Sequence, residues 1–479
     1  MKKSIIFISI ITAAALSGCN DVLVEEPKSL SAETFYNTAD EMESAVNAIY
    51  GPMRGDGGLS INYPAQLEGL PDYGYSRGSQ TPVSLYQGLD NTNISRVGSI
   101  WDGFYQSIRN ANIVINAAPV AKELTEAQKA KYMAEARYMR SLIYFALVRN
   151  WQGVPLRTVD NMTEPNVPRA SVEQVYALIL EDALYAEQNL PDAAAQAGKP
   201  SKWAAKTLLS EIYLTRGNWE GARDKAAEVI ASNKYALVPV SVSEDFQKIY
   251  GPEVVTTSEE IFYFKYSRQQ GFGLVSYAHR ALGEFKYYGG GGVYAQYTDS
   301  VSNSFIKTWD KKDLRKTHIL YKMDIGLGPN SVLYRKYRDP SSAAAGNDYP
   351  WYRYADVLLF HAEAAARAAN AVTPEAMESL NKIHRRAYGY SATAASPVDF
   401  VAADYTTTSF IDLVVRERGY ETMYEGKRWL DLKRLGIAKQ RILQVKGIEI
   451  AEKHMNWPIP NSELLYNKAL TAADQNTGY

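Results

Sequence analysis

The strongest constraint on this chain is a helical hairpin written into residues 203–230. Trp203, Ala204, Leu208, Leu209, Ile212 and Tyr213 recur at helical spacing and stop at Gly217. Trp219, Ala222, Ala226, Val229 and Ile230 then start a second stripe of the same period. The short Gly217-Asn218-Trp219 link makes the two helices antiparallel neighbours, and alanines at the meeting positions allow close approach. Such a unit cannot bury its apolar face alone, so further helices must stack on it.

Those helices are present in the sequence. Thr38-Ala39-Asp40-Glu41 precedes Met42, Ala45, Val46, Ile49 and Tyr50 at helical period. Thr125-Glu126-Ala127-Gln128 is a capping box opening a long helix with Tyr132, Ala136, Met139, Ile143 and Leu147 on one stripe. Ser171 caps another, carrying Val175, Leu178, Ile179, Ala183 and Leu184. Helical patterns return at 352–369, 374–388 and about 410–435. The hairpins resemble tetratricopeptide repeats.

Two stretches interrupt the pattern. Residues 51–99 are rich in Gly, Pro, Asn, Ser and Tyr and read as one long loop, which in a compact domain marks function. Residues 236–346 mix alternating runs such as Ile261–Tyr266 with many glycines, including the run Gly289–Gly292, and read as short strands and long loops. The expected architecture is mainly α in a single domain, 31–479. Helical pairs occupy about 31–50, 100–235 and 350–435, and the loop-rich, partly β segments 51–99 and 236–346 are available for a ligand.

The N-terminus carries an export signal. Lys2 and Lys3 precede an apolar run from Ile5 to Leu16, too short and wrongly flanked to span a bilayer, giving a signal peptide over 1–18. The sole cysteine, Cys19, follows Leu16-Ser17-Gly18, a string similar to a bacterial lipobox. That similarity implies acylation of Cys19, with 19–30 as an acidic tether holding Glu25, Glu26 and Pro27. A single cysteine excludes an intramolecular disulfide, so stability must come from core packing. The formal net charge is −1, and cleavage removing Lys2 and Lys3 takes it to −3; with no basic block, this argues against nucleic-acid binding. No apolar run after Cys19 reaches membrane-spanning length.

Catalytic and cofactor patterns are weak. His279, His318, His361, His384 and His454 are scattered without metal-ligand spacing, and Gly289–Gly292 lacks the Lys-Ser/Thr of a phosphate loop. Gly74-Tyr75-Ser76-Arg77-Gly78 matches a serine-hydrolase string, but its flanks, Pro71-Asp72-Tyr73 and Gln80-Thr81-Pro82, are neither a buried strand nor a helix. No pair of carboxylates stands out for glycoside hydrolysis. The expectation is a binding protein without cofactor or metal.

Near the C-terminus, Glu417, Glu421 and Glu425 share one helix face at i, i+4 spacing and would repel one another uncompensated. With Asp431 and Arg416, Arg418, Arg428 and Arg434, they are expected to form a buried ion-pair lattice rather than a ligand site. Arg353 and Asp356 are expected to tie repeats together.

Tyrosine is over-used: 35, against 13 phenylalanines and 8 tryptophans. A ring with an apolar face and a polar tip suits half-exposed surfaces that stack on ligands. Trp101, Trp151, Trp203 and Trp219 lie on helical stripes and read as core. One loop gathers Tyr63, Asp72, Tyr73, Tyr75, Arg77, Gln80 and Tyr86; another holds Tyr287, Tyr288, Tyr294 and Tyr297. Flat rings with hydrogen-bonding groups between them suit sugar recognition.

Five motifs occur in order along the chain. They begin with Glu26-Pro27, Phe35-Tyr36-Asn37-Thr38 and Ala48-Ile49-Tyr50. Ala134-Glu135-Ala136-Arg137-Tyr138-Met139-Arg140 follows, with Tyr144, Trp151 and Gly153-Val154-Pro155. Then come Tyr352–Leu359 with Ala362-Glu363-Ala364, and Arg416-Glu417-Arg418 through Glu425–Arg434. The chain closes on Trp457-Pro458-Ile459-Pro460 and Gln475–Tyr479. Together these resemble the SusD/RagB outer-membrane lipoproteins of Bacteroidota; Thr477 stands where that family usually has proline, and Ala472-Ala473-Asp474 stretches the approach to Gln475. The resemblance implies tetratricopeptide-like units with an irregular binding region. It further implies glycan capture at the outer membrane and delivery to a TonB-dependent SusC-type transporter under the lipoprotein lid. A peptide or other non-sugar ligand on the same architecture, and a scaffold binding no small ligand, remain open on the residues alone.

Overall fold

Side-chain caps set the helix starts. Thr38, Thr125 and Ser171 each accept from the N–H three residues on, while Glu41, Gln128 and Gln174 reach back to the cap N–H. In this computed structural model, which describes residues 35–269, 287–289, 296–341 and 345–479, the first half runs through seven main helices: α1 (Ala39–Arg54), α2 (Asn62–Gly69), α3 (Asn91–Ala117), α4 (Glu126–Trp151), α5 (Val172–Asn189), α6 (Lys202–Arg216) and α7 (Trp219–Ala231). The last third holds α8 (Tyr354–Ala369), α9 (Pro374–Ala387), α10 (Thr407–Glu421), α11 (Arg428–Arg434) and α12 (Ala438–Lys446). The signal segment, Cys19, Tyr294 and most of the Gly289–Gly292 run lie outside the described residues.

The hairpin read from residues 203–230 is α6–α7. Gly217 closes α6 in the left-handed region at φ 76°, and the Asn218 side chain caps α7 by accepting from the Gly221 N–H. Ser210 Oγ donates to the Ala222 carbonyl at 2.8 Å, which small residues at the contact permit. Helices α3 to α7 pack in sequence, each on the next; α1 packs on α3, and α7 packs directly on α8. The C-terminal helices thus continue the same stack across the β-containing segment. One apolar cluster runs through it. Trp101 and Trp151 are buried there, and Trp203 and Trp219 pack on it from its edge. Helix α4 is buried on all sides from Tyr138 to Val148, so its expected single stripe is the least of its buried surface.

The 51–99 segment departs from the loop expectation. It contains the end of α1, all of α2, a helical turn at Thr81–Ser84 and the first turns of α3. Helix α2 is buried from Tyr63 to Gly69, which removes the polar face that would have given it a period. The start of α3 is polar because Asp90 caps it, accepting from the Asn93 N–H at 2.9 Å. The predicted helix over 410–435 is two, broken at residues 422–427, where Gly426 adopts φ 70°.

Among the described residues, six short strands form two sheets. β2 (Glu260–Phe264), the alternating run, pairs antiparallel with β6 (Tyr349–Arg353). β1 (Tyr75–Ser76), β3 (Gln296–Asp299), β5 (Ser331–Tyr334) and β4 (Leu320–Lys322) form an antiparallel sheet in that spatial order.

Glu417 and Glu421 share a face of α10, whereas Glu425 lies in the break after it; together the three form the expected lattice. Arg353, fully buried at the start of α8, reaches Glu421 at 2.6 Å, Glu425 at 2.8 Å and Glu259 at 3.4 Å. Arg386 bridges Glu259 and Glu421, while Arg315 reaches Asp313, Glu417 and Glu421. Lys336 sits 2.5 Å from Glu425. Burial alone would raise these carboxyls; the surrounding guanidinium groups overcome it, holding Glu417 down to about 2. Asp356 pairs with Arg418 and Lys427, so α8, α10 and the 422–427 turn form one unit. Arg416 is the exception, half-exposed and 3.8 Å from its neighbour Glu417.

The chain end is locked onto α4. Trp151 Nε1 donates to the Pro458 carbonyl at 2.8 Å, and the Trp457 N–H to Asn150 O at 2.7 Å. Gln475 pairs with the Ile459 backbone through both its amide oxygen and nitrogen, and Asn476 Nδ2 reaches the Trp151 and Trp457 carbonyls.

Candidate ligand-binding site

The two tyrosine-bearing loops meet on one sheet. β1 comes from the first and β3 from the second, with Tyr75 opposite Tyr297. Cross-strand side chains on one face contact each other, and here the rings stack, centroids 5.6 Å apart at 29°. Both rings are half-buried, leaving part of the pair open to solvent. Lys446, the last residue of α12, holds its ammonium 5.2 Å from the Tyr75 ring centre and 5.6 Å from that of Tyr86, and donates to the Ser84 carbonyl. Burial pushes that ammonium down to about 7. Burial raises the Tyr297 phenol, while the Arg77 guanidinium pulls it the other way. Both phenols therefore remain neutral donors at neutral pH.

Buried polar ties hold the platform in place. At its base, Arg428 grips Asp72 with two parallel bonds of 3.0 and 2.6 Å, and Asn303 Nδ2 donates to the Asp72 carbonyl. Tyr73 donates its hydroxyl to Glu68, which also accepts the Gly426 N–H at 2.6 Å. Burial pushes the Glu68 carboxyl up to about 7. On the far side, Asn93 in the first turn of α3 donates to Ser79 O at 2.7 Å and accepts from Gln66 and Arg96. Arg96 also donates to Ser79 Oγ at 2.8 Å, and Ser84 Oγ accepts the Ser76 N–H.

Several predicted contact residues belong to this support instead of to the surface. Tyr63 is 2% exposed and packs against Phe104, Trp351 and Trp457. Tyr73 and Asp72 are buried by the bonds just described, and Gln80 is buried under the same turn. Tyr86 donates to the Leu70 carbonyl and packs against Trp429. Tyr288 is buried, donating to Tyr334 O at 3.2 Å. The Tyr73, Tyr86 and Tyr288 phenols each donate to an internal acceptor, and the Tyr63 hydroxyl accepts from Asn150 Nδ2 at 3.4 Å, which lets a tyrosine serve as core at little hydrogen-bonding loss. Tyr287 is half-buried at the opposite sheet edge, against Tyr321 of β4 and beneath Arg335 and Arg338. Three strand spacings, about 14 Å, separate β4 from β1. Tyr75 and Arg77 keep partly open positions. Lys446, Arg96 and Asn303 are additions; Lys446 lies 371 residues from Tyr75 in the chain, and no local pattern could pair them.

Ser76, the serine of the hydrolase-like string, is buried in a two-residue strand and bonded to no histidine among the described residues. Among those residues no group of three or more His, Cys, Asp or Glu side chains could hold a metal ion, and no helix is long and apolar enough to cross a membrane.

Comparison with known proteins gives these features a context. Residues 72–214 match a family described as starch-binding, associating with the outer membrane, and residues 326–479 match the SusD family. SusD-like protein P2 of Formosa agariphila is 26% identical over 98% of both chains. A SusD homologue from Bacteroides thetaiotaomicron superposes with a TM-score of 0.80 at 22% identity, covering 94% of this chain and 98% of that one. A laminarin-binding SusD-like protein superposes at 0.72 with 22% identity, covering 92% and 99%. Proteins of this family are binding proteins associated with the cell surface or outer membrane. Two family regions matched in order and a fold shared from end to end place this chain in the SusD/RagB family.

Proposed function

We propose that this protein captures an oligosaccharide at the cell surface on the Tyr75–Tyr297 edge of its four-stranded sheet. The carrying observation is that stacked, half-open tyrosine pair, held rigid from behind and flanked by Arg77 and Lys446. Its rings offer apolar faces to a sugar, and the cations with the neutral phenols offer donors to its hydroxyls. No bond is broken in this reading. The glycan passes to a TonB-dependent SusC-type transporter in the same membrane, and acylated Cys19 tethers the protein beside it. Support comes from family membership and from the glycan-binding members of the fold. A thermal-shift screen of residues 20–479 against neutral and acidic oligosaccharides and peptides tests it. A melting-temperature rise that grows with the logarithm of glycan concentration is expected. Shifts with peptides alone would refute it.

A further inference from the structure

The platform is electrostatically one-sided in a chain whose net charge is only −1. Arg77 stands close enough to Tyr297 to pull on its phenol. Lys446 covers Tyr75 from the other side. Arg96 anchors the turn between them through Ser79 and Asn93. Among the described residues, neither Lys446 nor Arg96 has a carboxylate within ion-pair distance; their bonds go to a carbonyl, a hydroxyl and an amide oxygen. The acids nearby are already engaged. Asp72, whose charge reaches Lys446, is held by both nitrogens of the Arg428 fork. Asp299, at the end of β3, accepts the Val301 and Ser302 N–H groups at 2.8 and 2.6 Å and lies within the field of Lys322.

The lattice around Glu421 pairs its buried cations with carboxylates, whereas the Lys433 ammonium has only the Arg149 carbonyl and the Asn456 amide oxygen. The Lys446 ammonium, left with one carbonyl against two aromatic rings, is likewise without a carboxylate. It is destabilising in the free protein, since burial without a counter-charge disfavours the charged form, and its depressed titration near 7 expresses that. A ligand that brings an anion removes the penalty; a neutral sugar does not.

We propose that the preferred ligand is an acidic oligosaccharide, one carrying a uronic carboxylate or a sulfate ester, whose sugar ring lies on Tyr75 and Tyr297 and whose anion is received by Lys446 and Arg77. Planar Arg77 can grip a carboxylate or sulfate through two N–H groups, and Lys446 adds a point charge. Arg96 contributes long-range attraction from behind the turn. The proposal rests on the platform reading above and narrows it to one class of sugar.

Matched pairs of ligands test it: oligogalacturonides against their fully methyl-esterified forms, and sulfated against desulfated galactan oligosaccharides, by titration calorimetry at low and high salt. The acidic member of at least one pair is expected to bind roughly tenfold or more tightly, with a preference that shrinks as salt rises. Lys446→Gln and Arg77→Gln are each expected to cut that acid-over-neutral preference by about tenfold, and two independent variants guard against misfolding of either. Equal binding within both pairs, or a preference untouched by both variants, overturns the proposal and leaves the platform reading standing. Binding of no saccharide in any form overturns both.

Discussion

Glu421→Gln removes the most heavily invested charge in the protein while keeping the side chain's shape. Glu421 is 2% exposed and receives Arg353 at 2.6 Å, Arg386, and Arg315 at 3.3 Å. Its carboxyl is held far below the ordinary range by those three guanidinium groups, against a burial effect acting the other way. The amide keeps one acceptor oxygen but leaves three buried cations sharing Glu259, Glu417, Glu425 and Asp313. Removing one partner from a buried ionic network typically costs about 3–5 kcal/mol. At roughly 2.1 cal/mol/K per residue, a chain of 479 residues has an unfolding entropy near 1 kcal/mol/K, so the melting temperature should fall by about 3–5 °C at pH 7. The sign of the pH dependence follows from linkage. A carboxyl depressed in the folded state contributes its full stability above its unfolded pKa, near 4.5, and loses it as pH falls toward the folded value. The gap between wild type and variant must therefore narrow as pH drops below about 4.5. Calorimetric melting from pH 3 to pH 8 checks this. A gap under about 1 °C at pH 7, or one that persists unchanged at pH 3, would refute the ion-pair account of this core.

Glu68 should behave in the opposite sense. Its carboxyl is raised to about 7 by burial, so the folded state holds the proton more tightly and wild-type stability falls as pH rises from about 4.5 through 7, by up to about 3 kcal/mol. Glu68→Gln, which cannot titrate, should abolish that part of the slope in melts between pH 5 and 8. Gly426→Ala places a side chain at φ 70°, where its Cβ would lie 2.7 Å from the Tyr349 hydroxyl. We expect a loss of at least about 1–2 kcal/mol from backbone strain alone, read by thermal melting, because only glycine adopts this conformation freely.

The helical frame was legible because its signals are local. Thr38, Thr125 and Ser171 cap as expected, and Gly217 with Asn218 turns the chain within the hairpin. The lattice was legible for a similar reason, since acids spaced i, i+4 demand compensation from somewhere, although only Glu417 and Glu421 share the helix and Glu425 falls in the break after it. Its cations could not be assigned from sequence alone, because Arg315, Lys336 and Arg386 come from other elements. The 51–99 region misled by composition. Its glycines and tyrosines suit loops, but tertiary burial of α2 and side-chain capping by Asp90 make much of it helical. Of the candidate contact residues, Tyr63, Asp72, Tyr73, Tyr86 and Tyr288 proved internal. A tyrosine whose hydroxyl finds Glu68 or the Leu70 carbonyl inside looks the same in sequence as one facing a sugar. What sequence could not show was the register that sets Tyr75 opposite Tyr297, or the approach of Lys446 from the end of α12.

The central claim is that the Tyr75–Tyr297 edge, not the Tyr287 edge about 14 Å away, receives the glycan. The most direct measurement is the dissociation constant of the saccharide identified by the screen for wild type, Tyr75→Ala and Tyr287→Ala, each first shown to melt as wild type does. The account predicts at least a tenfold weakening in Tyr75→Ala, from loss of one stacking ring and of the contact that seats Lys446 over it. Unchanged affinity in Tyr75→Ala together with loss of binding in Tyr287→Ala would contradict it and move the site to the other edge of the sheet.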